Sequence, residues 1–169
     1  MSSNIDPEDH QDRVGTTRRE EIGHLTRTMA RRFARAIEDD NPLFTDVEYA
    51  REQGYDDVVF PPNYLPAIIE REEGRAVSNL REDGLDPALF PVDLPPNVLV
   101  MNGGQQLSFE RYVTAGEHIF VDETLTAFYQ KDSDTMGTLT FMELSSEYVT
   151  DEDELVLTCE ETIIVGDHQ

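Results

Sequence analysis

Apolar and polar side chains alternate through most of the second half of the chain, beginning near Asn97. A period of two is typical of β-strands, because successive side chains point to opposite faces of a sheet. Short polar turns at residues 114–117, 131–134 and 151–153 divide this half into four long strands. Long strands joined by short turns predict an antiparallel meander. The predicted buried face of the second strand carries Ile119, Val121, Leu125, Ala127 and Tyr129.

The first half of the chain has the period of helices. Apolar residues recur at i, i+4, i+7 and i+8 across residues 29–37, which predicts an amphipathic helix. Asp46 is placed to cap a short helix at 47–53, and Asn63 to cap a longer helix at 64–73. Helices followed by strands predict an α+β domain in which a helix packs on a curved antiparallel sheet.

Length and composition predict a single soluble domain. The chain has 169 residues, 38% of them hydrophobic, and no apolar run reaches the roughly 20 residues of a membrane span. Residues 1–13 are polar and without pattern, so we expect a disordered tail followed by one domain at 14–169. The N-terminal residues lack the apolar segment of a secretory signal, so we expect a cytoplasmic protein.

Acidic residues dominate the charge of the chain. It has 36 Asp and Glu against 13 Lys and Arg, which gives a formal net charge of −23. Such a surface disfavours nucleic acid as a partner. The acids are scattered instead of gathered in one tract, which favours adaptation to the high-salt cytoplasm of a halophile over a polyanion mimic or a cation-binding protein. At molar salt the Debye length is only about 3 Å, so self-repulsion between carboxylates is weak.

The basic residues are concentrated in the first predicted helix and just before it. Arg27, Arg31 and Arg35 lie along one line of that helix, with Arg32 beside them. These arginines could bind phosphates or an acidic partner. They could also form a solvated face paired with local carboxylates, which the sequence favours slightly.

The sequence gives no support for metal or disulfide chemistry. Cys159 is the only cysteine, so an intrachain disulfide is impossible, and its place in a strand predicts a small buried side chain. No spacing of histidines with other ligand residues resembles a metal site. We expect no bound metal and no cofactor. The four histidines are His10, His24, His118 and His168.

Two segments together resemble a known enzyme family. In the first, DDNPLFTD at residues 39–46, five residues match the pattern Asp-x-Asn-Pro-Leu/Ile-His-x-Asp in register. The second is NGGQQLSF at 102–109, and Phe-Pro-Pro at 60–62 also matches the same type of domain. They resemble the N-terminal type of the MaoC-like (R)-specific enoyl-CoA hydratases and 3-hydroxyacyl-thioester dehydratases, over residues 14–166. The resemblance implies a single hot-dog fold, a curved sheet wrapped around a central helix, and an acyl-CoA or acyl-carrier-protein thioester as substrate.

The chain departs from this family at the catalytic position. Where the family has a histidine, this chain has Phe44, and Ile37 and Glu38 replace Ser-Gly before the aspartate. In active members, the Asp and His together activate a water that adds across an α,β-unsaturated thioester. Phenylalanine can neither accept a proton nor orient water, so this step loses one of its two acid/base groups. The resemblance leaves Asp39 and Asn41 as the candidate catalytic residues of a degenerate motif.

The residues at the start of the predicted central helix also differ from those expected in an active enzyme. Hot-dog enzymes commonly polarise the thioester carbonyl with backbone amides at the start of this helix. Pro61 and Pro62 have no N–H to donate, so only the amides of Asn63 and Tyr64 remain nearby. The resemblance implies that Asn63, Tyr64, Asn102, Gly103 and Gln105 bind substrate.

Each of these residues also has a plain structural interpretation. Asp39 could simply form the turn that ends the first helix, which we favour for the isolated chain. Asn102 and Gln105 could bind a pantetheine amide or satisfy a strand edge. Gly103 and Gly104 could allow close approach of a ligand or partner, or mark a β-bulge. Phe44 would then fill the space of the missing imidazole.

The resemblance implies a non-catalytic, substrate-accommodating subunit of a heteromeric (R)-hydroxyacyl-thioester dehydratase or enoyl-CoA hydratase. The partner would be a second hot-dog subunit with an intact Asp/His motif, and a homodimer is also possible. The alternative is a stand-alone hot-dog acyl-CoA thioesterase or hydratase that uses Asp39. A third possibility is a binding module that recognises acyl thioesters without chemistry.

Overall fold

The computed structural model describes residues 5–68, 76–96 and 98–167 and contains a five-stranded antiparallel sheet. The spatial order of the strands is β1-β3-β4-β5-β2. The predicted α+β class is confirmed. The strands are β1 (Thr17–His24), β2 (Val98–Phe109), β3 (His118–Ser133), β4 (Gly137–Thr150) and β5 (Leu155–Asp167).

The predicted meander is correct for β3, β4 and β5 but wrong for β2. β2 pairs with β5, not with β3, so it forms one edge of the sheet. The segment after β2 is held by the helical layer instead: Phe60 N–H donates to the carbonyl of Val113, and Gly116 N–H donates to that of Leu25. These bonds hold the connection that runs from β2, at one edge of the sheet, to β3, which lies next to β1.

Strand β1 is absent from the sequence prediction and occupies the other edge. Its sequence, TRREEIGH, has one large apolar residue and therefore no hydrophobic alternation. It pairs with β3 from Thr17–Thr124 to His24–His118, and charged pairs cross between the two strands. Arg18 lies 2.7 Å from Glu123, so this strand is specified by charge pairing that a hydrophobicity pattern does not register.

A β-bulge in β3 changes the predicted buried face. Register shifts between Leu125 and Ala127, where β3 pairs with β4. Because one extra residue moves the following side chains to the opposite face, Phe128 is buried and Ala127 and Tyr129 are only partly buried. The prediction was correct up to Leu125 and wrong beyond it.

The helical layer consists of short helices. The predicted helices at 29–37 and 47–53 are confirmed as α1 (Arg27–Ala36) and α2 (Val47–Glu52). The carboxylate of Asp46 accepts from the amides of Glu48 and Tyr49, as expected of a cap. Three-residue 3₁₀ helices lie at Pro42–Phe44, Val77–Asn79 and Pro87–Leu89.

The third helix differs from its prediction. Helix α3 spans only Tyr64–Ala67, because Ile68 already has an extended backbone. Asn63 precedes it but makes no side-chain cap, since its carboxamide oxygen instead accepts from Gln105. The remainder of the predicted helix, 69–73, lies outside the described residues. Within the described part of the chain, no helix has the length and apolar content to cross a membrane.

The described residues form two main clusters of the hydrophobic core. One lies between α1, α3 and the sheet and includes Phe60, Tyr64 and Cys159. Burial raises the pKa of the Cys159 thiol to about 12, and neighbouring carboxylates add to the effect, which agrees with the predicted buried side chain. The second cluster lies on the other half of the sheet, under Phe90 and Val92.

Residues 5–13, predicted as part of a disordered tail, instead lie against this second cluster. Ile5 is 5% exposed, and its carbonyl accepts from the side chain of Gln130 at 2.9 Å. A 3₁₀ helix follows at Pro7–Arg13. A single apolar residue in a polar run is a weak sequence signal, although here Ile5 attaches this segment to the second cluster. The single domain at 14–169 stays a prediction, and residues 1–4 lie outside the described chain.

Candidate functional site

The motif segment forms a tight turn directly after α1. Glu38 has φ +57°, and two backbone bonds close the end of the helix, from Asp39 N–H to the carbonyl of Ala34 and from Glu38 N–H to that of Arg35. This pair of bonds is the Schellman arrangement, whose left-handed position is usually glycine. The family pattern has glycine there, and this chain has Glu38 instead.

Replacing Glu38 by glycine should therefore stabilise the protein. A left-handed backbone costs a residue with a Cβ roughly 1 kcal/mol relative to glycine, partly offset by the greater entropy of unfolded glycine. We expect Glu38→Gly to raise the free energy of unfolding by up to about 1 kcal/mol in urea titrations. Glu38→Ala removes the same charge but keeps the Cβ, so an equal gain in that control would attribute the effect to charge.

The side chains of Asp39 and Asn41 serve the turn itself. Asp39 Oδ1 accepts from the amide of Asn41 at 3.0 Å, and Asn41 Oδ1 accepts from the amide of Leu43 at 3.1 Å. Asp39 is exposed to solvent, and Asn41 caps the 3₁₀ helix that contains Phe44. The geometry agrees with the turn-forming interpretation of both residues.

Phe44 points inward from this turn into an apolar cluster. Its side chain is 5% exposed and packs with Ala34 and Val59, with Leu43 and Tyr55 at the periphery. The amide of Val59 donates to the carbonyl of Leu43, which fixes the turn against the following segment. At the position where the family has a proton-transferring histidine, this chain therefore has a buried apolar side chain that packs against its neighbours, as predicted.

The entry to α3 offers few free donors. Pro61 and Pro62 have no N–H, and the amide of Tyr64 donates to the carbonyl of Pro61 at 2.9 Å. The Tyr64 amide is thus already used, which corrects the expectation that it could polarise a thioester. The Tyr64 ring is buried between Phe33 and Phe60, and this burial raises the pKa of its hydroxyl.

The structure brings together three of the predicted substrate-binding residues. Gln105 Nε2 donates to Asn63 Oδ1 at 2.9 Å, and Tyr64 follows Asn63 directly, so β2 is joined to the start of α3. Both amide side chains are exposed. No hydrogen bond among the described residues joins this group to Asp39 or Asn41.

The other two predicted residues form a β-bulge in β2. Register shifts between Asn102 and Gly104, and Asn102 Oδ1 accepts from the Gly104 amide at 2.6 Å. A Cβ on Gly103 would lie 3.0 Å from both Ile164 and Thr162 of β5. The space at Gly103 is therefore tight against the chain's own neighbouring strand, and Gly104 has φ +123°, a backbone conformation that favours glycine. Both observations favour the bulge interpretation of Gly103 and Gly104.

The sequence did not indicate a buried ion pair that lies beside a cleft near β1. Glu123 is 5% exposed and is bound by Arg18, which also donates to the carbonyls of Ala88 and Leu89. The adjoining cleft has a volume of about 530 Å³. Its apolar wall is formed by Phe90, Val92 and Leu125. No sequence signal could have found this pair, because it depends on the unpredicted strand β1.

Two histidines also meet at the end of β1 and β3, away from the motif. The rings of His24 and His118 stack at 4.2 Å, and His118 Nε2 lies 2.7 Å from Glu21. Among the contacts of the described residues, none joins either histidine to Phe44 or Asp39. Among the described residues, no group of three ligand side chains could hold a metal ion.

Comparison with known proteins identifies the family. The model of a family described as FAS1-like, dehydratase domain region, matches residues 13–159. The chain belongs to this FAS1-like dehydratase family. It is also 34% identical over 148 residues to a UPF0336 protein of Parafrankia sp. (strain EAN1pec), a match that covers 87% of each chain.

Solved structures confirm the hot-dog fold. The C-terminally truncated HadBC (3R-hydroxyacyl-ACP dehydratase) complex of Mycobacterium tuberculosis is similar with a TM-score of 0.67 and 21% identity, covering 90% of this chain and 97% of the other. The ChsH1–ChsH2 complex of the same organism has a TM-score of 0.70 and 19% identity, covering 97% and 94%. Both neighbours are subunits of heteromeric complexes.

Proposed function

We propose that this chain is the non-catalytic, substrate-accommodating subunit of a heteromeric (R)-hydroxyacyl-thioester dehydratase or enoyl-CoA hydratase. The proposal rests on how the side chains of the motif turn, residues 38–44, are arranged. Phe44 is buried in an apolar cluster at the histidine position, and the side chains of Asp39 and Asn41 bond to their own turn. Hydration needs a group that takes a proton from water and a group that orients it. Phe44 can do neither, and the carboxylate of Asp39 is bonded to its own turn.

The proposal assigns proton transfer to a second hot-dog subunit with an intact Asp/His motif. The neighbours in heteromeric dehydratase complexes support this assignment. The chain's own contribution is the surface that joins α3 and β2, where the exposed amides of Asn63 and Gln105 can bind the amide groups of a pantetheine arm. No metal or cofactor takes part in this scheme, and we place the complex in a cytoplasm of high salt.

The test is hydration of crotonyl-CoA, followed by loss of the enoyl absorbance in concentrated KCl. We expect no activity from the pure chain and full activity when it is mixed with the hot-dog subunit of the same organism that carries the Asp/His motif. Substituting the histidine of that partner should abolish the activity, whereas Asp39→Asn in this chain should leave it within about twofold, because Asp39 only shapes a turn.

Three outcomes would contradict the proposal. Hydration by the pure chain, lost in Asp39→Asn, would make the chain an enzyme in its own right. Release of free thiol from a panel of acyl-CoAs by the chain alone would identify a thioesterase that uses Asp39. Binding of acyl-CoA with no activity in any mixture would indicate a binding module.

A further inference from the structure

The cleft beside β1, which we term the β1 cleft, is separate from the residues of the proposed function. Its lining comes from residues 13–18, residues 87–93 and β3, and it includes no residue of the motif turn, α3 or β2. Its volume is about 530 Å³. Small-molecule sites in proteins have volumes of roughly 300–1,000 Å³, so the cleft is large enough for a ligand.

A buried ion pair holds the walls of the β1 cleft together. Arg18 binds the carboxylate of Glu123, which is 5% exposed. The same guanidinium group donates to the carbonyls of Ala88 and Leu89, and it lies 3.4 Å from Glu20. The donors of Arg18 are therefore already used, so this residue fixes the shape of the cleft and is not available to bind a ligand.

Two unpaired charges of opposite sign also line the β1 cleft. Arg13 and Asp93 are both exposed there. Within the described residues neither side chain has an ion pair or a hydrogen bond, and the two are not paired with each other. The backbone at Arg13 is fixed, because its carbonyl accepts from the amide and the hydroxyl of Thr16 at 3.0 and 2.6 Å. An arginine without a carboxylate partner is unexpected in a chain with 36 acidic and 13 basic residues.

The rest of the lining is largely apolar. Phe90, Val92 and Leu125 are 8%, 3% and 2% exposed and belong to the second core cluster. Their side chains are fixed by packing in that cluster, and they also contact the cleft. The cleft therefore offers a preformed apolar surface next to the two unpaired charges.

The charges that line the β1 cleft balance, unlike those of the whole chain. Arg13 and Arg18 oppose Asp93 and Glu123, whereas the chain has a net charge of −23. An anion is repelled by the chain and meets the carboxylate of Asp93 in the cleft, and a cation meets the guanidinium of Arg13. A molecule that carries both charges can pair with both residues and has no net charge to be repelled.

We infer that the β1 cleft binds a small zwitterion with an apolar side group, the chemical class of the hydrophobic amino acids. The ligand carboxylate binds the guanidinium of Arg13, which suits paired hydrogen bonds to carboxylates. The ligand ammonium group binds Asp93, and the side group packs against the apolar wall. Because Arg13 and Asp93 are exposed, their ion pairs select the ligand more than they strengthen its binding. This binding site goes beyond the proposed function and does not depend on it.

The experiment measures binding to the full chain by NMR titration in about 0.5 M KCl, where direct contacts survive screening. Leucine and phenylalanine are the zwitterionic probes. Isocaproate is leucine without the ammonium group, isoamylamine is leucine without the carboxylate, and glycine lacks the side group. We expect Kd values on the order of 0.1–1 mM for leucine and phenylalanine, and binding at least about tenfold weaker for the other three.

Two variants assign the charges of the ligand to their partners. Arg13→Gln should weaken leucine binding about tenfold but should not weaken isoamylamine binding, because the amine has no carboxylate for Arg13. Asp93→Asn should weaken leucine binding to a similar extent and should not weaken isocaproate binding. The matched controls Arg35→Gln and Asp151→Asn change exposed residues outside the cleft and should alter leucine binding by less than about twofold. Urea unfolding verifies that each variant is folded.

Three results would overturn the inference. One is the absence of leucine and phenylalanine binding at about 10 mM, well above the expected Kd. Another is equal affinity for leucine and isocaproate, which would identify a site for a carboxylate with an apolar tail. The third is an equal loss of leucine binding in the cleft variants and their controls. None of these results bears on the proposed function, because crotonyl-CoA hydration is measured separately.

Discussion

Phe44→His restores the residue type of the family motif, and we expect it to destabilise the protein without creating hydratase activity. The Phe44 side chain is buried among Ala34, Val59 and Leu43. An imidazole there loses ring packing and leaves a polar nitrogen without a partner, at a combined cost of about 2–4 kcal/mol. No activity should follow, because Asp39 is exposed and its carboxylate is bonded to the amide of Asn41.

The stability of this variant should also depend on pH. Burial disfavours the charged imidazole, so its pKa in the folded state falls below the unfolded value of about 6.5. The unfolded state then binds more protons near and below that pH. Stability relative to wild type should therefore be constant above about pH 7 and should fall as the pH is lowered through about 6.5.

Phe44→Leu is the matched control, because it removes volume but stays apolar. Its cost should be smaller than that of Phe44→His and should not change near pH 6.5. Urea unfolding at pH 8 and pH 5.5 measures both effects. Crotonyl-CoA hydration by the Phe44→His chain alone would show that the motif turn still holds a working geometry, and the expectation that this variant is inactive would be wrong.

The parts of the fold that the sequence predicts are those specified by local patterns. Helix α1 follows from the apolar spacing between Met29 and Ile37, and α2 from the cap at Asp46. The hairpins of β3, β4 and β5 follow from alternation and short turns. The motif turn is equally local, so the inward position of Phe44 could be predicted without coordinates.

The parts that the sequence does not predict depend on contacts between distant residues. β1 is stabilised by ion pairs such as Arg18–Glu123. The sequence around either residue does not indicate that the two residues pair. The Asn63–Gln105 bond removes the expected helix cap, although Asn63 is a good capping residue by type. Ile5 gives no periodic signal, yet it is anchored by Gln130. In each case a tertiary contact decides the local structure, and the neighbouring sequence does not indicate that contact.

The stability of this protein should depend strongly on salt. Its formal net charge is −23, and most of the carboxylates are exposed. Two unit charges about 10 Å apart in water repel by roughly 0.4 kcal/mol, and summed over many pairs this opposes the compact state by several kcal/mol. Raising the salt from about 0.1 M to about 1 M shortens the Debye length from about 10 Å to about 3 Å and removes most of this repulsion.

We therefore expect the free energy of unfolding in urea to rise by at least about 2 kcal/mol between these KCl concentrations, with most of the gain below about 0.5 M, where the Debye length changes most. KCl is the appropriate salt, because sulfate also strengthens hydrophobic burial. A linear gain that continues to several molar would indicate such a solvent-exclusion effect instead of screening.

A variant with fewer charges separates the two explanations. Glu110, Asp151 and Glu152 are exposed and lie at the ends of strands, so Glu110→Gln/Asp151→Asn/Glu152→Gln removes three negative charges with little change in packing. If repulsion between carboxylates is the cause, the variant should be more stable than wild type in low salt, and the two should converge as the KCl concentration rises. Parallel curves for variant and wild type would exclude charge repulsion as the source of the salt dependence. The acidic surface would then have to act through hydration, an effect that screening does not remove.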